Sequence, residues 1–206
     1  MDDKLNAVLD FYYERILKER QDHADGVSRP ASERFMAVGP QTGQLINILA
    51  RNLKAPTILE LGTSFGYSTL WLAEAARRTG GRVITIELER EKVAFARDMA
   101  ARAGVEEHIE YRIGDAVEMI SELKDGIDFV LLDLWKDLYV PCLEALMPHL
   151  RPGAVLVADN MTVPGGEDAR RYQEFVRSRP GVLSVPLSVG TGLEVSRFLP
   201  AEFFIL

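Results

Sequence analysis

One cysteine, Cys142, stands in 206 residues. No intrachain disulfide can form from it, so the fold rests on its core, and a reducing cytoplasm is the expected setting. Long apolar runs are also missing. No stretch reaches the length of a membrane span, and the opening Met-Asp-Asp-Lys is acidic with no apolar segment behind it. Neither a signal peptide nor a membrane anchor is therefore expected. Positive charge is in short supply: 24 Lys and Arg face 31 Asp and Glu, a formal −7. That balance favours a small-molecule site over a broad nucleic-acid surface. Three histidines, His23, His108 and His149, have no spacing that suits a transition metal. The chain holds no repeat, no low-complexity tract and no Gly-x-Gly-x-x-Gly dinucleotide fingerprint.

What is present is a 47% hydrophobic chain of a length that suits one α/β domain. Leu5, Val8, Leu9, Tyr12 and Ile16 recur at helical spacing over 4–20, a loop is expected over 23–30, and a second helix over 40–53. From residue 54 strands and helices alternate. Strands are expected at 57–61, 82–87, 108–113, 127–132 and 153–158. Helices are expected at 66–79, 89–103, 115–123, 137–149 and 166–178, with Gly80-Gly81, Gly104, Gly126 and Pro152-Gly153 as stops. Such repetition means a parallel sheet with helices on both faces. Two last strands, 182–188 and 192–199, flank Gly190-Thr191-Gly192 and read as an antiparallel hairpin. The whole of 1–206 is expected to be one domain, with helices of 1–53 covering the ligand site and 54–206 forming the sheet core that carries it.

In open sheets of this kind, ligands bind outside the carboxyl ends of the strands. The first strand runs through Glu60 into Gly62, Ser64, Gly66, Tyr67 and Ser68. Gly62 permits a sharp bend and a close backbone approach, and Ser68 falls in a helical first turn that favours a carboxylate or phosphate. The spacing Gly-x-x-x-Gly points to S-adenosylmethionine rather than a dinucleotide; an ordinary strand–turn–helix is the plainer alternative. Glu87 ends the second strand, where an acid can accept from two ribose hydroxyls. Asp115, with Ala116, ends the third and can accept from an adenine amino group, or simply cap a helix. The fourth strand runs into Asp133, with Leu134, Trp135 and Lys136 behind it, and the fifth runs into Asp159-Asn160. Two carboxylates and a carboxamide at neighbouring tips offer a hard divalent cation such as Mg²⁺ three oxygens. Loop capping by the same acids is the alternative. Lys136, three residues past Asp133, can turn back over that site as a general base, or be a surface lysine.

These residues together resemble the cation-dependent class I O-methyltransferases, in particular the catechol O-methyltransferase branch. The likeness runs through Met36-Ala-Val38-Gly39, Gly43-Gln44, Leu59–Ser68, Glu87, Asp133-Leu-Trp135-Lys136, Asp159-Asn160, Pro164-Gly165 and Gly192-Leu193-Glu194. It implies a Rossmann-like fold, a seven-stranded, mostly parallel sheet with a reversed C-terminal hairpin. It also implies roles. Met36 and Val38 would pack on the cofactor, Glu60, Gly62 and Ser68 would hold its methionine part, and Glu87 its ribose. Asp115, Ala116 and Trp135 would surround the adenine, and Asp133 would also contact the cofactor. Asp133, Asp159 and Asn160 become metal ligands, Lys136 the base, and Glu194 the acceptor from the second hydroxyl of a catechol-like phenol. Ser64 departs from the aromatic residue common at its position, and Leu134 from a polar one. A related branch with the same triad modifies a hydroxylated uridine in tRNA. A nicotinamide-dependent oxidoreductase would use the same sheet but has no role for the triad. The amphipathic first helix and the apolar end Phe203-Phe204-Ile205-Leu206 suit a homodimer, or a tail folded on its own domain.

Overall fold

The computed structural model describes residues 2–27, 30, 34–124 and 126–200. Seven strands form one sheet in the order β3-β2-β1-β4-β5-β7-β6. They are β1 (Thr57–Leu61), β2 (Arg82–Glu87), β3 (Ile109–Ile113), β4 (Ile127–Leu132), β5 (Leu150–Ala158), β6 (Val182–Leu187) and β7 (Leu193–Phe198). The first five run parallel, and β7 is antiparallel to both β5 and β6. The expected seven-stranded sheet with a reversed terminal hairpin is the one observed.

Both faces are covered, as a parallel sheet requires. The strand alternation sorts side chains into two cores. Ile58, Val83, Phe129, Leu131 and Val157 face α1 (Asp3–Ala24), α2 (Gly39–Arg51), α3 (Tyr67–Thr79) and α4 (Arg90–Ala103). Leu59, Leu61, Ile84, Val130, Leu132 and Leu156 face α5 (Ala116–Ser121), α6 (Tyr139–Leu146) and α7 (Glu167–Arg177). The apolar stripe of α1 turns into the first core, with Leu5 and Tyr12 fully buried. The apolar end at 203–206 lies outside the described residues. Among the described residues no helix is long and apolar enough to cross a membrane.

Local differences have simple causes. The first helix continues to Ala24, into the stretch expected as a loop. Pro152-Gly153 lies inside β5 rather than before it. The register with β4 slips there, from Ile127↔Leu150 to Phe129↔Val155, so the pair forms a bulge instead of a stop. Pro148 breaks the helix expected over 137–149: α6 occupies its middle, with 3₁₀ turns at Lys136–Leu138 and Met147–His149.

Candidate active site at the strand tips

The loop after β1 is built around two glycines with positive φ, Gly62 at +97° and Gly66 at +90°. A Cβ at Gly62 would lie 2.2 Å from the Asp133 carbonyl oxygen, and one at Gly66 2.7 Å from Ala96 Cβ. Ser64, between them, also adopts a positive φ, +45°, and its N–H donates to Glu87 Oε2 at 2.8 Å. The other Glu87 oxygen accepts from Leu88 N–H at 2.8 Å and Glu89 N–H at 3.1 Å. Glu87 thus stands at the tip of β2 with its carboxylate fixed by backbone donors. Tyr67 and Ser68 open α3, both buried.

Glu60 is wholly enclosed. One of its oxygens accepts from the Thr69 and Thr85 hydroxyls, at 2.5 and 2.6 Å, while Oε1 has no partner. Burial pushes its pKa up to about 7, against the pull of hydroxyls from Ser68, Thr69 and Thr85. A buried acceptor with nothing bound to it suits an ammonium group.

Residues 35–38 lie beside this loop. Phe35 stacks on Phe65 with ring centroids 4.5 Å apart, and its carbonyl accepts from the Ser64 hydroxyl at 3.3 Å. From α1, Glu19 accepts the Phe35 N–H at 2.7 Å, Arg15 sits over the Phe35 ring, and the Tyr12 hydroxyl donates to the Phe65 carbonyl. Val38 is buried, whereas Met36 is 45% exposed.

The tips of β4 and β5 meet next to Gly62. Asp133 N–H donates to Leu61 O at 2.9 Å and Asp159 N–H to Leu132 O at 3.0 Å, so both ladders extend one residue past their strands. Leu132 pairs with Ala158, which brings Asp133 beside Asp159. Burial raises both carboxyl pKa values, and for Asp133 the charge of Asp159 adds to the effect. Lys136 Nζ donates to Leu134 O at 3.0 Å, Tyr139 OH at 2.9 Å and Asn160 Oδ1 at 2.8 Å. Burial lowers its pKa, and Asp133 and Asp159 oppose that shift. The Lys136 protons go to those three oxygens while its charge acts on both carboxyl groups from nearby, and Asp159 Oδ2 is buried with no partner. Among the described residues, no three His, Cys, Asp or Glu side chains cluster as a metal site. The donor set is two carboxyl groups and a carboxamide, all hard oxygens, with an unsatisfied acceptor. That set fits a divalent cation.

Two residues that the sequence reading passed over complete this corner. The buried Tyr139 hydroxyl lies 2.9 Å from Leu132 O and 3.2 Å from Asp159 O, besides accepting from Lys136. Thr191, expected only to turn the hairpin, donates to Asp159 Oδ1 at 2.6 Å and lies 3.1 Å from Asn160 Nδ2. Spacing along the chain carried no hint of Thr191, since 31 residues separate it from Asn160.

The remaining residues stand apart from that corner in different ways. Asp115 is the N-cap of α5, accepting from Glu118 N–H at 3.1 Å, with Ala116 half-buried behind it. Trp135 follows Asp133 and is 65% exposed. Glu194 is not brought to Asp133 and Asp159. It pairs with Ala158 and faces α7, fully buried, accepting from Arg177 Nε and Nη2 at 2.8 and 2.7 Å, Gln173 at 3.1 Å and the Ser184 hydroxyl. Burial would raise its pKa, but these donors, Arg177 first, hold it below the usual value. Four donors fill a carboxylate's capacity.

The sheet order, the glycine loop and the acidic strand tips define a class I methyltransferase. A family model described as O-methyltransferase matches residues 12–177. A catechol O-methyltransferase from Niastella koreensis is 29% identical over 200 residues, covering 88% of this chain and 90% of that protein. One from Mycobacterium tuberculosis is 34% identical over 158 residues, covering 71% of each. Among solved structures, an O-methyltransferase from Bacillus cereus in complex with SAH superposes with a TM-score of 0.75 at 27% identity, covering 96% of this chain and 91% of that one. TomG, an O-methyltransferase of Streptomyces achromogenes solved in complex with SAM, gives 0.76 at 28%, covering 97% and 91%. The chain belongs to the O-methyltransferase family, as a class I S-adenosylmethionine-dependent enzyme of the catechol O-methyltransferase type.

Proposed function

We propose that the enzyme methylates one hydroxyl of a catechol-like phenol, with a divalent cation, Mg²⁺ for preference, held by Asp133, Asp159 and Asn160. The observation that carries the reading is the partnerless, buried Asp159 Oδ2 at a tip where two carboxyl groups end neighbouring strands. When bound, the cation supplies positive charge that favours the phenolate over the phenol. The donor supplies a methyl group on a cationic sulfur.

Each part of the chain then has a task. Glu60 accepts from the donor's amino group through Oε1, and Gly62 and Ser68 hold the rest of its methionine portion. Ser64, Gly66 and Tyr67 shape that loop, and Glu87 takes the ribose. Asp115, Ala116, Trp135 and the Asp133 backbone border the adenine, with Met36 and Val38 beside the donor. Lys136 Nζ removes the phenol proton, and its lowered pKa makes the neutral amine accessible. The phenol oxygen forms the new bond to the methyl carbon as the carbon–sulfur bond breaks. No protein group becomes alkylated, so rate acceleration comes from positioning and charge. Glu194 has no part in this reading, because its carboxylate is already occupied under α7.

We read the chain as one domain working in the cytoplasm, which the single, buried, unpaired Cys142 suits. The deciding experiment offers labelled S-adenosylmethionine with Mg²⁺ and, separately, catechol, phenol and tRNA. Label in catechol, with far less in phenol and none in tRNA, supports the proposal. Label in tRNA alone would replace it with the uridine reading, and equal use of phenol would remove the need for adjacent hydroxyls.

A further inference from the structure

The segment Gly190-Thr191-Gly192 lies between β6 and β7, yet its backbone is fastened to the loop that follows Asn160. Thr162 N–H and Val163 N–H both donate to Thr191 O, at 3.0 and 2.9 Å, and Met161 N–H donates to Gly192 O at 2.9 Å. The glycines on either side allow the approach. A Cβ at Gly190 would meet Thr42 Oγ1 at 2.4 Å, and one at Gly192 would meet Thr162 Oγ1 at 2.2 Å; both residues have positive φ. The Thr191 hydroxyl is carried in this way to Asp159 and Asn160.

We propose that Thr191 is a positioning residue that turns Asp159 Oδ2 and Asn160 Oδ1 toward the cation, an inference that rests on the cation reading above. The argument is one of donor accounting. A threonine hydroxyl has a single proton. Asp159 Oδ1 accepts from Asn160 N–H at 2.6 Å and from the Thr191 hydroxyl at 2.6 Å. With its proton committed there, Thr191 Oγ1 can only accept from Asn160, which places the amide nitrogen, not the oxygen, at 3.1 Å. The opposite side of the carboxamide gives the same answer, because Lys136 Nζ is purely a donor and lies 2.8 Å from Oδ1.

The consequence is directional. Asp159 Oδ1 is saturated on the Thr191 side, which leaves Oδ2 as its unsatisfied oxygen. Asn160, at φ +58°, cannot flip its amide without placing two donors against Lys136 and two acceptors against each other. Removing the hydroxyl takes one of two restraints from each ligand, leaving Lys136 on Asn160 and the Asn160 N–H on Asp159. Groups that orient metal ligands in this manner are typically worth about 10- to 100-fold in metal affinity.

The test is Mn²⁺ titration of the full-length chain, followed by electron paramagnetic resonance in the presence of S-adenosylhomocysteine. Wild type is compared with Thr191→Val, Thr191→Ser and Asp159→Asn, and S-adenosylhomocysteine affinity is measured for each by calorimetry. Thr191→Val, which keeps shape and loses the hydroxyl, should bind Mn²⁺ about 10- to 100-fold more weakly with unchanged S-adenosylhomocysteine affinity. Thr191→Ser should recover most of the loss. Wild-type affinity in Thr191→Val overturns the inference while leaving the cation site standing. An equal loss of S-adenosylhomocysteine affinity, or no recovery in Thr191→Ser, overturns it in favour of a purely structural hydroxyl. Absence of Mn²⁺ binding in wild type, with Asp159→Asn indistinguishable from it, removes the cation reading itself.

Discussion

Gly62 and Asp133 are in such close contact that a single added methyl carbon on Gly62 would stand 2.2 Å from the Asp133 carbonyl oxygen. The donor loop and the tip of the acidic strand are therefore one rigid corner rather than two neighbouring features. Gly62→Ala meets both a backbone clash and a φ of +97°. We expect the variant to lose at least ~1–3 kcal/mol of stability, the usual scale of strain at such positions. Its affinity for S-adenosylmethionine should fall more than tenfold. Thermal melts with and without the donor check both outcomes.

Tyr139 touches Lys136 and both strand ends through one buried oxygen. Tyr139→Phe keeps the edge contact with the Tyr172 ring but removes that junction. Turnover should drop about tenfold, the worth of a hydrogen bond to a charged group, with donor affinity unchanged. Lys136→Met should cost about 10²–10⁴-fold in kcat, the range of a lost general base. The rising limb of the wild-type rate against pH should lie below ~10.4, the free lysine value, and be missing in Lys136→Met. A limb that survives there would assign the proton transfer to another group.

Burial raises the folded-state pKa of Glu60 to about 7 from 4.5. Between those values the folded protein holds a proton that the unfolded chain has released. Stability must therefore fall as pH rises from about 4.5 through 7. At ~1.4 kcal/mol per unit the effect is at most roughly 3 kcal/mol. The donor-free protein should melt lower at pH 8 than at pH 5, and Glu60→Gln should flatten part of that decline while weakening the donor. An unchanged slope in Glu60→Gln would show that other acids carry it.

Glu194 has the opposite sign. Its carboxyl pKa is held low by Arg177, Ser184 and Gln173 despite burial, so the stability it confers is present above the unfolded value and lost as pH falls through the folded one. Arg177 is itself half exposed and can rehydrate, so Glu194→Gln should cost roughly 1–3 kcal/mol, the range for leaving a buried partner unsatisfied. KM for catechol should change less than twofold. A large rise in KM with unaltered melting would return Glu194 to the substrate.

The sheet and its tips were legible because their signals are local. Buried strands ending in Gly62, Glu87, Asp133 and Asp159 follow from short, mainly apolar stretches bounded by turn residues, and neighbouring strands then bring Asp133 beside Asp159. What the sequence concealed depends on direction and on distant contacts. Glu194 differs from Leu193 and Val195 only in strand parity: they face the α1–α4 core, whereas Glu194 faces α7. Thr191 and Tyr139 look like turn and helix residues, and their hydroxyls acquire a role only once β5, β7 and α6 assemble. Asp115 carries two roles that sequence does not separate, and the structure shows the helix cap.

The most direct measurement is the initial rate of catechol methylation after exhaustive EDTA treatment, followed by back-titration with Mg²⁺, for wild type and Asp133→Asn. Wild type should fall to background with EDTA and recover fully with Mg²⁺, while Asp133→Asn stays near background at every Mg²⁺ concentration. Undiminished wild-type turnover in EDTA would contradict a cation held at these strand tips.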